Sequence, residues 1–80
     1  VNFALSMENI KMAALFVEKD GYIKISFRSI GNIAVNEIAR KYYNGGGHKN
    51  ASGGSSYLNM KDTLNYFEKN LQTFIAIKNK

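Results

Sequence analysis

The stretch that decides the fold, residues 22–54, reads YIKISFRSIGNIAVNEIARKYYNGGGHKNASGG. It begins with a strict alternation, in which Ile23, Ile25 and Phe27 fall on one face of a strand and polar residues fall on the other. Apolar residues then recur at helical spacing through residues 35–43, and a glycine-rich segment follows. The order of these patterns predicts a strand, a helix and a glycine-rich loop within one small domain.

A second strand precedes the alternating segment. Residues 10–19 are rich in apolar and β-favouring side chains, and the dipeptide Asp20-Gly21 separates them from the alternation. Because this dipeptide tolerates the positive φ angles of a two-residue type I′ turn, we expect an antiparallel hairpin. Arg28 then lies on the polar face of the hairpin with Lys24 and Ser26, where a ligand can reach it.

The flanking segments complete the expected architecture. Helical spacing, with Asn59 as the N-cap, predicts a long helix that ends near Lys78 and buries Met60, Leu64, Phe67, Leu71 and Phe74. Residues 55–58 suit one short strand, and residues 1–7 are either an edge strand or the remnant of a linker. The predicted fold class is α+β, a mixed α/β sandwich in which the antiparallel hairpin and further short strands form a small mixed sheet beside two main helices.

Composition narrows the classes of function. The chain has 80 residues, a formal net charge of +5 and no cysteine, which excludes a disulfide framework and a thiolate metal site. No apolar run approaches the ~20 residues that span a bilayer, and no export signal is visible. We therefore expect no membrane contact and a cytoplasmic location. The positive charge favours an anionic partner such as nucleic acid, although a merely soluble surface also carries charge of this size.

The segment Gly45-Gly46-Gly47-His48 is the candidate site. Glycines let the backbone approach a ligand, and consecutive N–H groups form an anion-binding concavity. If residues 48–52 form a helix, the glycines also lie at a helix N-terminus, which attracts phosphate. An imidazole donates a hydrogen bond when neutral and adds positive charge when protonated. The alternative is a flexible connector with a surface histidine, since the phosphate-loop and dinucleotide-binding patterns are both missing.

Three linked motifs resemble one known family. SFRS (26–29), VNEIA (35–39) and GGGHKNASG (45–53) follow the order and spacing of the DHH-associated domain, subfamily 1, which forms the C-terminal part of DHH-family phosphoesterases. Within that family, the sequence of these motifs is most similar to the bacterial oligoribonuclease type, which degrades very short RNAs and dephosphorylates adenosine 3′,5′-bisphosphate. Two departures are Asn44, where the family often has a fourth glycine, and Ser52, where it often has an alanine.

The resemblance implies a substrate site without catalytic residues. Of the tyrosines before the glycines, Tyr42 is expected in the core and Tyr43 is the better candidate to stack on a base. Arginine suits a phosphate contact because its planar guanidinium group can donate two parallel hydrogen bonds to phosphate oxygens. The residues expected to hold the phosphate of a short RNA or nucleotide are Arg28, Gly45, Gly46, Gly47, His48, Lys49 and Asn50.

The resemblance also implies that catalysis belongs to a separate DHH domain that precedes this one in a longer chain. That domain holds two manganese ions with clustered Asp and His side chains. Residues 1–80 contain one His and two Asp, so we expect a single substrate-binding domain with no metal ligand, no cofactor and no hydrolytic activity of its own. The alternatives are a tRNA-contact or dimerisation module, as in synthetases, the binding domain of a cyclic-dinucleotide or single-stranded DNA phosphodiesterase, and a stand-alone basic RNA binder.

Overall fold

The computed structural model describes residues 1–7 and 10–78. Within these ranges the chain forms five strands and two helices, in the order β1 (Asn2–Met7), β2 (Ile10–Lys19), β3 (Tyr22–Ile30), α1 (Val35–Tyr42), β4 (Gly46–His48), β5 (Ala51–Ser56) and α2 (Met60–Lys78). Both predicted helices are present, and residues 1–7 form the edge strand that was one of the two alternatives.

The strands form one sheet in the order β1-β2-β3-β5-β4, so the α+β class is confirmed. Every pairing among the described strands is antiparallel, whereas a mixed sheet was expected. The reason is that β4 and β5 form a hairpin of their own. This extra reversal brings β5 back beside β3 in the antiparallel sense.

The hairpin of β2 and β3 is confirmed, but its turn is not of type I′. Lys19 pairs with Tyr22 across the turn, and Gly21 has a φ of 87°. Asp20 is not among the residues with positive φ, and a type I′ turn needs positive φ at both central positions. A negative φ at Asp20 and a positive φ at Gly21 match a type II turn, in which glycine takes the second central position.

The two faces of the sheet differ in character. Alternate residues of β2 and β3 are buried against the helices, and the rings of Phe16 and Phe27 pack on Phe67 of α2. The residues between them point to the opposite side, which we call the open face because neither helix covers it. The buried apolar core consists of Met12, Ala14, Phe16, Ile23, Ile25, Phe27, Ile33, Val35, Ile38, Ala39, Tyr43, Phe67, Leu71 and Phe74.

Helix α2 begins as the sequence predicts. Asn59 Oδ1 accepts a hydrogen bond from the backbone N–H of Asp62 at 2.8 Å, the arrangement of an N-cap. A buried hydrogen bond of 2.7 Å joins Ser56 Oγ of β5 to Thr63 Oγ1 in the next turn of the helix. The end of β5 and the start of α2 are thereby held together below the sheet. The expected strand over residues 55–58 is wrong in its bounds, since β5 already begins at Ala51.

Candidate functional site

The glycine-rich segment folds as a β-hairpin. Gly46 pairs with Gly53, and His48 pairs with Ala51 across a turn formed by Lys49 and Asn50. The possible helix over residues 48–52 is therefore absent, and the phosphate site at a helix N-terminus that depended on it is absent as well. Small residues have little preference of their own for a helix or a strand here, and pairing β5 with β3 satisfies backbone groups that would otherwise lie unpaired along the sheet.

Strand register places Arg28 and His48 in one row on the open face. Arg28 pairs with Ala51, and Ala51 pairs with His48. Directly paired residues share a face of the sheet, so the two side chains stand on either side of the Ala51 methyl group. Both are exposed, and their Cα atoms lie two strand spacings apart, which is about 10 Å. Two long side chains therefore flank a short one on the open face.

The Arg28 side chain is held at one end of its guanidinium group. Its Nη1 donates a hydrogen bond of 2.7 Å to the carbonyl oxygen of Phe27. Because a guanidinium has five N–H donors in a fixed plane, this contact orients the group and leaves further donors for an anion.

The three consecutive glycines have different environments. A Cβ on Gly45 would lie 1.9 Å from the carbonyl oxygen of Gly53, whereas a Cβ on Gly46 would meet nothing within 4 Å. Gly47 pairs with buried Ser52 and so lies on the inner face. The Gly45 N–H donates to the Ala39 carbonyl oxygen at 2.9 Å. The predicted concavity of consecutive free N–H groups is thus interrupted at Gly45, while Gly46 faces the open side.

The turn of the β4–β5 hairpin is tied to the loop between β3 and α1. Asn50 Nδ2 donates to Ser29 Oγ at 2.9 Å, and Ser29 Oγ donates to the Ile33 carbonyl oxygen at 2.6 Å. The Lys49 carbonyl oxygen accepts from the Val35 N–H at 2.8 Å. Asn50 therefore braces the site from within, and its direct contact with a ligand stays a prediction. The Lys49 side chain is exposed.

Tyr43 was the better of two candidates to stack on a base, and the structure rules this candidate out. Its side chain is only 1% exposed, and its ring packs 5.6 Å from that of Phe27. Gly54 of β5 provides the room, since a Cβ there would lie 2.6 Å from the Tyr43 Cβ. Tyr42 is half-buried against the core. The helical pattern predicted which side of α1 is apolar, but not that the chain turns inward directly after it.

Burial of Tyr43 leads to a pH-dependent stability. Burial raises the pKa of Tyr43 from 10.0 to about 12, and the buried Tyr43 hydroxyl has no hydrogen-bond partner among the described residues. The folded state then holds the phenol proton more tightly than the unfolded chain does. Stability from this group is complete below pH 10 and is lost as the pH rises from 10 towards 12. We expect the urea midpoint of the chain to fall over this interval.

Matched variants separate Tyr43 from the other groups that titrate in this interval. Tyr43→Phe should lose less stability between pH 10 and pH 12 than the unchanged chain, whereas Tyr57→Phe, at an exposed ring, should behave like the unchanged chain. Equal losses in all three proteins would show that Tyr43 does not carry the effect.

Sequence reasoning missed one exposed aromatic residue, Tyr57. Tyr57 follows β5, is 76% exposed and lies beside Tyr22, with ring centroids 6.3 Å apart. The only signal was an aromatic residue directly after a polar strand, without any periodic pattern around it. Its place beside Tyr22 depends on the pairing of β5 with β3.

The described residues offer no ligand set for a metal ion. Nowhere in residues 1–7 and 10–78 do three His, Asp or Glu side chains come together in a way that could hold one. The manganese ions that the resemblance implies therefore have no fitting place among them. No helix in the same part of the chain is both long and apolar enough to cross a membrane.

Comparison with known proteins places the chain in a family. The family model of the DHHA1 domain matches residues 1–77. The bifunctional oligoribonuclease and PAP phosphatase NrnA of Bacillus subtilis (strain 168) is 48% identical over 52 residues, which are 65% of this chain and 16% of NrnA.

A crystal structure of an exopolyphosphatase-related protein from Bacteroides fragilis has a TM-score of 0.78 and 36% identity, and the match covers 86% of this chain and 20% of that one. The chain thus spans a fifth or less of the length of either relative. With a family match over residues 1–77, the chain belongs to the DHHA1 domain family of DHH-family phosphoesterases.

Proposed function

We propose that this domain binds the phosphate of a short oligoribonucleotide or of adenosine 3′,5′-bisphosphate for a DHH-family phosphoesterase. The observation that carries the proposal is the row of Arg28, Ala51 and His48 on the open face. Arg28 supplies a planar cation with parallel donors, and His48 supplies a further donor from the neighbouring edge strand. Ala51 between them leaves space for the phosphate oxygens.

The remaining predicted residues act around this row. Gly46 leaves the surface beside His48 without a side chain, and Lys49 adds positive charge at the hairpin turn. Asn50 acts as a positioning residue, because its bonds to Ser29 near the end of β3 and to the Gly31 carbonyl oxygen in the β3–α1 loop fix the turn that follows His48. Arg28 and His48 are 20 positions apart in the sequence, so this brace helps to keep their spacing constant.

A catalytic partner is part of the proposal. A DHHA1 domain normally follows a DHH catalytic domain in the same chain, and ligand sites favour the clefts between domains. The open face would close one side of such a cleft and orient the substrate, while hydrolysis and the manganese ions belong to the other domain. Residues 1–80 would then be one substrate-binding domain of a larger cytoplasmic enzyme.

A titration of the isotopically labelled chain with a 5′-phosphorylated RNA dinucleotide tests the phosphate site. We expect NMR shifts centred on Arg28 and residues 45–50. Arg28→Ala and His48→Ala should each weaken binding about tenfold or more, because a hydrogen bond to a charged group contributes about 1.5–3 kcal/mol.

Lys69→Ala provides the matched control, since it removes an exposed positive charge from α2, away from the open face. It should leave the affinity and the shift pattern unchanged. Shifts scattered over the lysines, with equal weakening in all three variants, would contradict the proposed site and indicate binding by diffuse charge alone.

A further inference from the structure

Positive charge extends along the open face well beyond Arg28 and His48. The register places four basic residues on this face of β2 and β3, namely Lys11, Lys19, Lys24 and Arg28. No described strand residue on the open face is acidic. Glu18 of β2 is exposed, but it pairs with buried Ile23 and therefore lies on the other side of the sheet. The face as a whole attracts an extended anion and not only a single phosphate.

Beside the row of Arg28, Ala51 and His48, which we call the Arg28 row, the open face of β3, β5 and β4 has no bulky side chain. The next row consists of Ser26, Gly53 and Gly46, and Gly46 has open space where a Cβ would point. The row after that contains Lys24 and Ser55. Lys24 is four residues from Arg28, which is about 13 Å along the strand. This separation suits two phosphates of one extended strand better than one phosphate.

A polar depression marks the position of Lys24. Its volume is about 550 Å³, and its lining residues include Lys19, Tyr22, Lys24, Asn44, Gly45 and Ser55. Lys19 pairs with Tyr22 and lies on the open face, so two ammonium groups flank the depression. Asn44 is the one non-glycine residue with positive φ among the described residues. A depression with this lining suits a phosphate and its sugar.

An aromatic pair stands at the far end of this surface. Tyr22 is 37% exposed and Tyr57 is 76% exposed, and the two rings lie 44° from parallel. Both rings keep surface free for a further ring, and neither belongs to the buried core. Exposed aromatic rings beside basic residues are the usual platform for unstacked bases, because every base has a face that can stack.

We propose a second nucleic-acid subsite, in which Lys24 and Lys19 bind an internal phosphate and Tyr57, with Tyr22, stacks on a base. This inference rests on the proposed function, since the Arg28 row holds the terminal phosphate of the same strand. The domain then binds a chain of several nucleotides along β3 and β5, and its affinity rises with the length of the ligand. Single-stranded nucleic acid is the ligand class, because it supplies repeated phosphates along an extended backbone together with unstacked rings.

The test compares adenosine 5′-monophosphate with a 5′-phosphorylated adenosine tetranucleotide. The unchanged chain should bind the tetranucleotide at least about tenfold more tightly. Tyr57→Ala should lower tetranucleotide affinity about tenfold, and Tyr57→Phe should restore it, because stacking needs the ring. Lys24→Ala should reduce the slope of log affinity against log salt by about 0.7 for the tetranucleotide. Neither variant should change the affinity for the monophosphate.

Lys69→Ala is again the charge-matched control and should keep the advantage of the longer ligand. If monophosphate binding depends on Arg28 but the tetranucleotide binds no more tightly, the second subsite is wrong and the proposed function stands. Equal weakening of both ligands by Lys24→Ala would also overturn the subsite. If the monophosphate does not bind, or binds independently of Arg28 and His48, the proposed function fails and the subsite fails with it.

Discussion

Gly45→Ala should lower the free energy of unfolding by about 3 kcal/mol or more, at the upper end of the range for overpacked sites. A Cβ at this position would lie 1.9 Å from the Gly53 carbonyl oxygen and 2.7 Å from the Gly54 Cα. These are backbone atoms of β5, which pairs with both β3 and β4 and cannot move without breaking hydrogen bonds of the sheet. Urea unfolding followed by circular dichroism measures the loss.

Gly46→Ala is the matched control, one residue away in the same segment. Its added methyl group meets nothing within 4 Å, so stability should stay within about 0.5 kcal/mol. The methyl group would nevertheless stand on the open face beside His48, and the affinity for a 5′-phosphorylated dinucleotide should fall. Similar stability in the two variants would contradict the packing around Gly45. An unchanged affinity in Gly46→Ala would place the ligand elsewhere.

The contrast between these glycines shows what sequence can and cannot resolve. A run of glycines predicts close approach of backbone, but not what the backbone approaches. At Gly45 the neighbour is strand β5, whereas at Gly46 it is the open face. Two adjacent positions with the same residue therefore have different roles, and the difference depends on a strand pairing that the local sequence does not encode.

The elements with periodic patterns were predicted well for a physical reason. Alternation in β3 and helical spacing in α1 and α2 arise directly from burial of one face, so the sequence carries them. The segment over residues 48–56 has no such pattern, because residues 51–56 are all Ala, Ser or Gly, and only β5 of this hairpin pairs with β3. Tertiary pairing decided its structure, and residues 48–52, for which a helix was one possibility, form the turn of the β4–β5 hairpin and the strand ends beside it.

The candidate site was predicted in part from the sequence. The family resemblance predicted Arg28 and His48 as phosphate-binding residues, but only the register of β3, β5 and β4 shows that both flank Ala51. The ligand contact predicted for Asn50 stays a prediction, and the structure adds that the Asn50 amide donates to Ser29 Oγ next to Arg28. Tyr57 was missed altogether, since its partner Tyr22 lies 35 positions earlier in the sequence.

Phe67→Ala should reduce the free energy of unfolding by about 3–5 kcal/mol. The Phe67 side chain is 1% exposed, and its ring lies 5.0 Å from Phe3, 5.1 Å from Phe16 and 6.2 Å from Phe27. One ring thus joins α2 to β1, β2 and β3, so its removal leaves a cavity between the helix and the sheet. Small domains have total stabilities of about 0.05–0.15 kcal/mol per residue, so the loss is a large share of the whole.

Thermal unfolding of Phe67→Ala should show a midpoint lowered by at least about 12 °C, because each kcal/mol shifts the midpoint of a domain of this size by about 4–8 °C. Lys69→Ala, at an exposed position of the same helix, should leave the midpoint unchanged. A small shift in Phe67→Ala would mean that α2 does not pack on the sheet as described.

Since Phe67 contacts the inner face and Arg28 stands on the open face, the folded fraction of this variant should still bind the dinucleotide with unchanged affinity at low temperature. A variant that loses stability but keeps affinity would show that α2 supports the sheet without contributing to the phosphate site.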